Sequence, residues 1–272
     1  MKINTSFLNI FEQIIKNDYN NSYRTRKRDE IIYFKEILKL TYSTPYWSRY
    51  YAPISGKLLN KKHNEYIKRG YYEKLYTTVL NKYIDISSYY RFKFISTDTC
   101  FIPNKYCSNL NRNKFYKSKK GLKLSSITDA NGIPLSLIIN NGNIYDSKIF
   151  IKTYNSMKVS TSANKYKHSN KHKQYFLADK GYSTNQIDSF LIDKGYSTII
   201  PQNKRNIKDP SKIIKLTDKQ KKLYKKRIVI ENSFSWIKQF VKLTGVYEKS
   251  MKNYLNITYL AVSYIIHRRF LQ

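Results

Sequence analysis

Between residues 91 and 203 the spacing of apolar side chains changes in an order that few folds accommodate. RFKFISTDTCFI alternates as a strand does and is expected to end near Asp98. KGLKLSSITDANGIPLSLIIN has the pattern of two strands folded about Asn131-Gly132, a dipeptide suited to a tight hairpin turn. DSKIFIKTYNSM then has helical spacing, and QYFLAD is a short apolar strand. TNQIDSFLIDKG is a helix with Thr184 as its N-cap and Gly195 past its end, and STIIPQN is a last strand. A long helix follows, entered through a capping box of Thr217 and Gln220, continued to about Leu243 and stopped by Gly245.

The order β-β-β-α-β-α-β-α predicts an α/β fold with a mixed sheet, the antiparallel meander at one side and parallel strands after the crossover. Sheets of this kind belong to the ribonuclease H-like class among others. Residues 1–90 differ in texture. Phe7, Ile10, Phe11 and Ile14, then Ile31, Ile32, Phe34, Ile37 and Leu38, recur at helical spacing, and Pro45, Pro53 and Gly56 break the run. The expected division is a small, all-helical, basic region over 1–90, suited to DNA binding, and a ribonuclease H-like domain over 91–272.

Charge narrows the partners. Fifty-one Lys and Arg stand against 18 Asp and Glu, a formal net charge of +33, in a chain whose 41% hydrophobic content is enough for a real core. Self-repulsion on that scale points to a polyanion, nucleic acid first. A genome rich in A and T would also enrich Lys, Asn, Ile and Tyr, yet those lysines still carry charge. Two cysteines, Cys100 and Cys107, make no disulfide framework, and the N-terminus has no secretory pattern, so an intracellular location is expected. The longest apolar run, LAVSYIIH, is too short to span a bilayer, which sets membrane functions aside.

One carboxylate is out of character. In LYKKRIVIENSFSWIKQF, Glu231 sits among lysines, an arginine and large apolar side chains. At about 100° per residue, with Glu231 as zero, Tyr224 falls near about +20°, Lys238 near about −20° and Arg227 near about −40°. Leu223, Ile230, Phe234, Ile237 and Val241 form the apolar stripe beside that row. Glu231 therefore borders the core. Asp98 and Asp179 are placed near the ends of two strands that lie close together in such a sheet. Three carboxylates converging in a basic field suit hard divalent cations such as Mg²⁺ or Mn²⁺, and two ions about 3.5–4 Å apart serve phosphodiester chemistry.

The spacing Tyr224-x2-Arg227-x3-Glu231-x6-Lys238 resembles the signature of the DDE transposases of bacterial insertion sequences, in the insertion-sequence-four and -five superfamily. STDTCFI resembles their first acidic motif, LADKGY their second, and IPQNKR the segment that follows; the likeness extends loosely over residues 23 to 270. It implies that Asp98, Asp179 and Glu231 are catalytic and bind two Mg²⁺ or Mn²⁺ ions. It implies that Tyr224, Arg227 and Lys238 touch DNA at the transposon end, mainly its phosphates. The implied reaction is cleavage of double-stranded DNA at terminal inverted repeats, then attack of the freed 3′-hydroxyl on target DNA, by a homodimer on the DNA. The place of action would be the cytoplasm or nucleoid of a bacterium, or the nucleus or viral replication site of another host.

Two departures stand out. Val246 precedes Tyr247 where relatives commonly have Arg, and the stretch between the fifth strand and Glu231 leaves no room for a large β insertion. The alternative is a catalytically inactive or repurposed descendant that binds DNA without cutting it. A third reading, a ribonuclease H-fold nuclease or resolvase of another lineage, does not need the Tyr/Arg/Lys row. Of the remaining polar residues, His168 and His172 are read as a solvated loop, the cysteines as packing residues and Asp146 as a helix cap.

Overall fold

A computed structural model describes every residue of the chain except 1–2, 20–26, 51–52, 88, 105, 108–109, 160–172, 204–210, 212 and 245–247. His168, His172, Gly245, Val246 and Tyr247 therefore lie outside the described residues. The chain divides into two compact units: Met1–Ile86, Ile102–Leu122 and Ser235–Gln272 make one, Ser87–Phe101 and Lys123–Phe234 the other.

The first unit is built on α1 (Thr5–Tyr19), α2 (Lys27–Ser43), α3 (Gly56–Lys68) and α4 (Tyr71–Ile86). The short α9 (Val241–Thr244) and the C-terminal α10 (Met251–Phe270) join them. α10 is buried from Asn256 through His267, on all faces, and packs along α4. That is why LAVSYIIH lacks helical alternation: an element buried all round has no polar face to reveal its period. Aromatic contacts tie the unit together, Phe11 stacking on Phe34 at 3.6 Å and Tyr76 on Tyr259 at 5.1 Å. Gly56 opens α3 behind the N-cap Ser55, and a Cβ there would lie 1.8 Å from the Trp47 carbonyl oxygen, so only glycine fits. Lys242, 1% exposed, pairs with Glu248 at 2.9 Å, donates to the Pro45 carbonyl at 2.9 Å and lies over Trp47.

His63 is fully buried in this unit, with Nδ1 3.0 Å from the Tyr72 hydroxyl and Nε2 without a partner. Burial, helped by the Lys242 charge, pushes its pKa down from 6.5 to about 3. Because the folded value is the depressed one, His63 supports the fold above pH 6.5 and withdraws that support as pH falls towards 3. The loss amounts to at most about 1.4 kcal/mol per pH unit. In urea unfolding, His63→Asn is expected to cost most at pH 7, with its deficit against wild type shrinking by ~2 kcal/mol at pH 4.5.

The second unit carries the sheet. Its strands are β1 (Phe94–Pro103), β3 (Lys119–Thr128), β4 (Pro134–Asn141), β5 (Tyr175–Leu177) and β6 (Ser197–Ile199), with α5 (Asp146–Asn155) and α6 (Asn185–Asp193) as crossovers. The order is β3-β1-β5-β6, with β4 also on β3; β1, β5 and β6 are mutually parallel. This is the ribonuclease H-like mixed sheet expected, with one addition. A two-residue strand, β2 (Arg112–Asn113), pairs antiparallel with Lys119 and Lys120 at the start of β3, in the first unit.

The hairpin turns where Asn131-Gly132 places it, with Gly132 at φ +78° and the Asp129 carboxylate accepting from the Asn131 and Ile133 amides. Thr184 caps α6 through the Ile187 amide, and Gly195 beyond it has φ +85°. Phe150 of α5 sits at the centre of an edge-to-face cluster with Phe176, Tyr182 and Phe190, which packs the helices onto the sheet.

Two expectations need correction. Asp98 lies inside β1 rather than at its end, because the strand continues to Pro103 after its pairing with β5 stops at Ser96. The long helix from Thr217 to Leu243 is broken into α7 (Asp218–Tyr224), a 3₁₀ turn at Lys225–Arg227, α8 (Ile228–Ile237) and α9. The capping box at its start is present. Of the apolar stripe, Ile230, Phe234 and Ile237 are buried.

Candidate functional site

The register of β1 against β5 sets the first two carboxylates. Ser96 pairs with Leu177, so Asp98 within β1 and Asp179, still extended just past the end of β5, each lie two residues beyond the same rung and by the two-residue alternation face the same side. Here the topology also switches, since β1 leads on to β3 at one side and β5 to β6 at the other; the carboxyl ends of strands at such a point form a crevice. Beyond β5 the chain turns at once. Asp179 caps the 3₁₀ turn Lys180–Tyr182, its Oδ1 accepting from the Lys180 amide at 2.6 Å.

Arg227 brings in the third. Its Nη1 donates to Asp98 Oδ2 at 2.6 Å and its Nη2 to Glu231 Oε1 at 2.7 Å, so one guanidinium holds a carboxylate from β1 and one from α8. The side chains are 17% exposed at Arg227, 22% at Asp98 and 50% at Glu231. Burial pushes the Asp98 carboxyl up, opposed by the Arg227 charge and by the Thr99 amide, which donates to Oδ1 at 2.8 Å. Burial likewise works against the Arg227 cation, and Asp98 more than compensates, raising its pKa. Tyr224 lies beside them, its ring 5.8 Å from the Arg227 guanidinium; burial leads in raising its phenol, with Asp179 and Asp98 contributing.

A fourth carboxylate belongs to the same neighbourhood and was missed. Asp146 does not cap α5: it is the first residue of that helix, and the N-cap, Tyr145, makes no side-chain capping bond. Its Oδ1 accepts from Thr99 Oγ1 at 2.7 Å, next to Asp98, and from Lys123 Nζ at 2.8 Å. Its Oδ2 lies 3.7 Å from where a Cβ on Gly181 would stand, next to the Asp179 turn. Tyr182, fully buried, feels all three aspartates: burial first, then the charges of Asp146, Asp98 and Asp179, push its phenol well up. The sequence holds no signal for Asp146: Lys123 alternates with Leu122 and Leu124 as a solvent-facing strand residue does, and only the structure, which buries both faces of β3, shows that it needs a counter-charge.

Lys238 is exposed in the turn that ends α8 and belongs to the first unit; the other five predicted site residues belong to the second. Cys100 and Cys107 are not joined in a disulfide. Among the described residues, no group of three or more His, Cys, Asp or Glu side chains is arranged to hold a metal ion, and no helix is long and apolar enough to cross a membrane. The donor chemistry at Asp98, Asp179 and Glu231, oxygen only, suits a hard divalent ion, but the arrangement as it stands does not, because the Arg227 guanidinium already joins Asp98 to Glu231.

Acidic side chains near the switch point of a ribonuclease H-like sheet, in a chain of net charge +33, are the arrangement expected of a protein with a nucleic-acid partner. Residues 103–266 match the family described as "Transposase DDE domain", and the chain belongs to that family. The matched span contains Asp179 and Glu231 and begins after Asp98. The solved catalytic domain of Mos1 mariner transposase aligns with 74% of this chain and 91% of its own at 13% identity, with a TM-score of 0.29, too slight a likeness to argue from. No curated protein matches the chain.

The Asp146–Lys123 pair makes the environment of Asp98 testable. Asp146→Ala leaves a 7% exposed lysine with, among the described residues, only the Ile144 carbonyl as partner and is expected to cost about 1–3 kcal/mol in urea unfolding. Adding Lys123→Met is expected to recover part of that loss, so that the double variant is more stable than the sum of the single changes.

Proposed function

We propose that this chain is a DNA transposase of the insertion-sequence-four and -five superfamily, which cleaves phosphodiester bonds at transposon ends and joins the freed 3′-hydroxyl to target DNA. The observation that carries this reading is the joining of Asp98 and Glu231 through one guanidinium, beside a buried tyrosine that feels Asp98, Asp146 and Asp179. Arg227 links a carboxylate of β1 to one of α8, and Tyr182 lies near those of β1, α5 and the β5 turn, which supports a shared acidic site in an otherwise basic chain.

In this reading Asp98, Asp179 and Glu231 are the catalytic carboxylates. They would take the two Mg²⁺ or Mn²⁺ ions that the family uses only once Arg227 has released Asp98 and Glu231. Tyr224, Arg227 and Lys238 hold the DNA strand: Arg forks onto phosphate oxygens, Lys supplies a point charge, and Tyr gives a hydrogen bond or a stacking face. Helices α1 to α4 belong to the expected DNA-binding region over 1–90, and the catalytic region runs over 91–272. The partners are double-stranded terminal repeats and target DNA, engaged by a homodimer, in the compartment where the element's DNA resides. The absence of a three-carboxylate cage among the described residues favours a second reading, a descendant that binds DNA and no longer cuts it.

Incubating the protein with Mn²⁺ and a duplex carrying the inverted repeats that flank its gene separates the two. Nicks at the repeat boundary that vanish in Asp98→Asn and Glu231→Gln, with DNA binding retained, establish the transposase. Binding without nicks establishes the repurposed protein. Lys238→Ala is expected to weaken binding, most at low salt, and to lower the slope of log K against log salt by about one unit; an unchanged slope would show that Lys238 touches no phosphate.

A further inference from the structure

The conflict between the oxygen donor set and its present arrangement has a physical resolution. Asp98 is mostly buried, and burial alone would make its ionised form costly. Glu231 approaches it from α8. Two such carboxylates repel, and a single guanidinium that directs one N–H group to each offsets that repulsion. The oxygens it takes, Asp98 Oδ2 and Glu231 Oε1, are not the ones engaged by backbone: Asp98 Oδ1 already accepts from the Thr99 amide. Arg227 therefore holds one oxygen of each carboxylate, and a divalent cation shared by the two would have to compete with it.

We propose that Arg227 is a built-in counter-cation of the Asp98–Glu231 pair, which excludes divalent metal from the DNA-free protein and is drawn off by a DNA phosphate, so that metal loading follows DNA binding. This rests on the reading of these carboxylates as metal ligands. Three further features fit it. The guanidinium has a second natural partner, since its fork matches phosphate as well as carboxylate. Arg227 sits in the 3₁₀ turn Lys225–Arg227 between α7 and α8, and a break of this kind inside a helical run is where a local rearrangement is easiest. Lys225 and Lys226 in the same turn are exposed, so a strand arriving there brings its phosphates next to Arg227. Once Arg227 turns to a phosphate, Asp98 and Glu231 lose their counter-charge and bind a divalent ion more tightly; conversely the ion, by freeing Arg227, tightens the grip on DNA.

The test is Mn²⁺ binding by the full-length protein, read from the electron paramagnetic resonance of free Mn²⁺, with and without a short duplex. In wild type the duplex is expected to tighten Mn²⁺ binding at least about fivefold. Arg227→Gln is expected to bind Mn²⁺ at least about fivefold more tightly without DNA, and to lose the effect of the duplex. Arg227→Lys keeps the charge but not the fork and is expected to shift in the same direction by less. If neither variant tightens Mn²⁺ binding while Asp98→Asn abolishes it, Arg227 is no counter-cation and the proposal falls alone. If Asp98→Asn leaves Mn²⁺ binding at its wild-type strength, the carboxylates are not the metal site, and the reading on which the proposal rests falls with it.

Discussion

The parallel pairing of β1 with β5, Ser96 opposite Leu177, is the constraint on which the candidate site depends. Only three rungs long, it brings two segments 81 residues apart in sequence into a fixed register. Because side chains alternate with a strict period of two, the rung also fixes the face: Asp98 and Asp179 follow it by the same even step. A slip of one residue would send one carboxylate to the opposite side of the sheet. The aromatic cluster around Phe150 and Tyr182 seats α5 and the turn after Asp179 against this sheet.

The second constraint is electrostatic. The chain carries a large positive charge, yet four of its carboxylates, Asp98, Asp146, Asp179 and Glu231, lie about the crevice where the strands diverge. Each has been given a cation or a backbone donor: Asp98 and Glu231 share Arg227, Asp146 has Lys123 and the Thr99 hydroxyl, and Asp179 has the Lys180 amide. Partial burial makes such pairing obligatory, since an isolated carboxylate at the edge of a core protonates or unfolds its surroundings. Glu231 among basic and apolar neighbours follows from the same logic. Its neighbours in the helix supply the cation, and the apolar ones supply the wall.

How far the site was legible depends on the range of the interactions involved. Local signals read correctly: Asn131-Gly132 turned the hairpin, Thr184 and Thr217 capped their helices, and the order of strands and helices was that of a ribonuclease H-like sheet. The Arg227–Glu231 bond was legible as an ordinary spacing of four on a helix. The break at Lys225–Arg227 was not, because no proline or glycine marks it, and it interrupts the helix that the wheel treated as continuous. Asp146 was read as a cap because Asp commonly opens helices; that its side chain turns to Thr99 and Lys123 depends on residues 47 and 23 positions away.

By itself the sequence determined the elements, their order, the charge and the set of oxygen donors, since periodicity, turn residues and composition are properties of short stretches. Only the tertiary structure decided which donors meet. It joined Asp98 to Glu231 across 129 positions from Asp98 to Arg227, added Asp146 to the group and packed the C-terminal α10 among the N-terminal helices. The reason is physical: strand register and the burial of α10 on every face arise from contacts between distant segments, and such contacts leave no period in either segment alone.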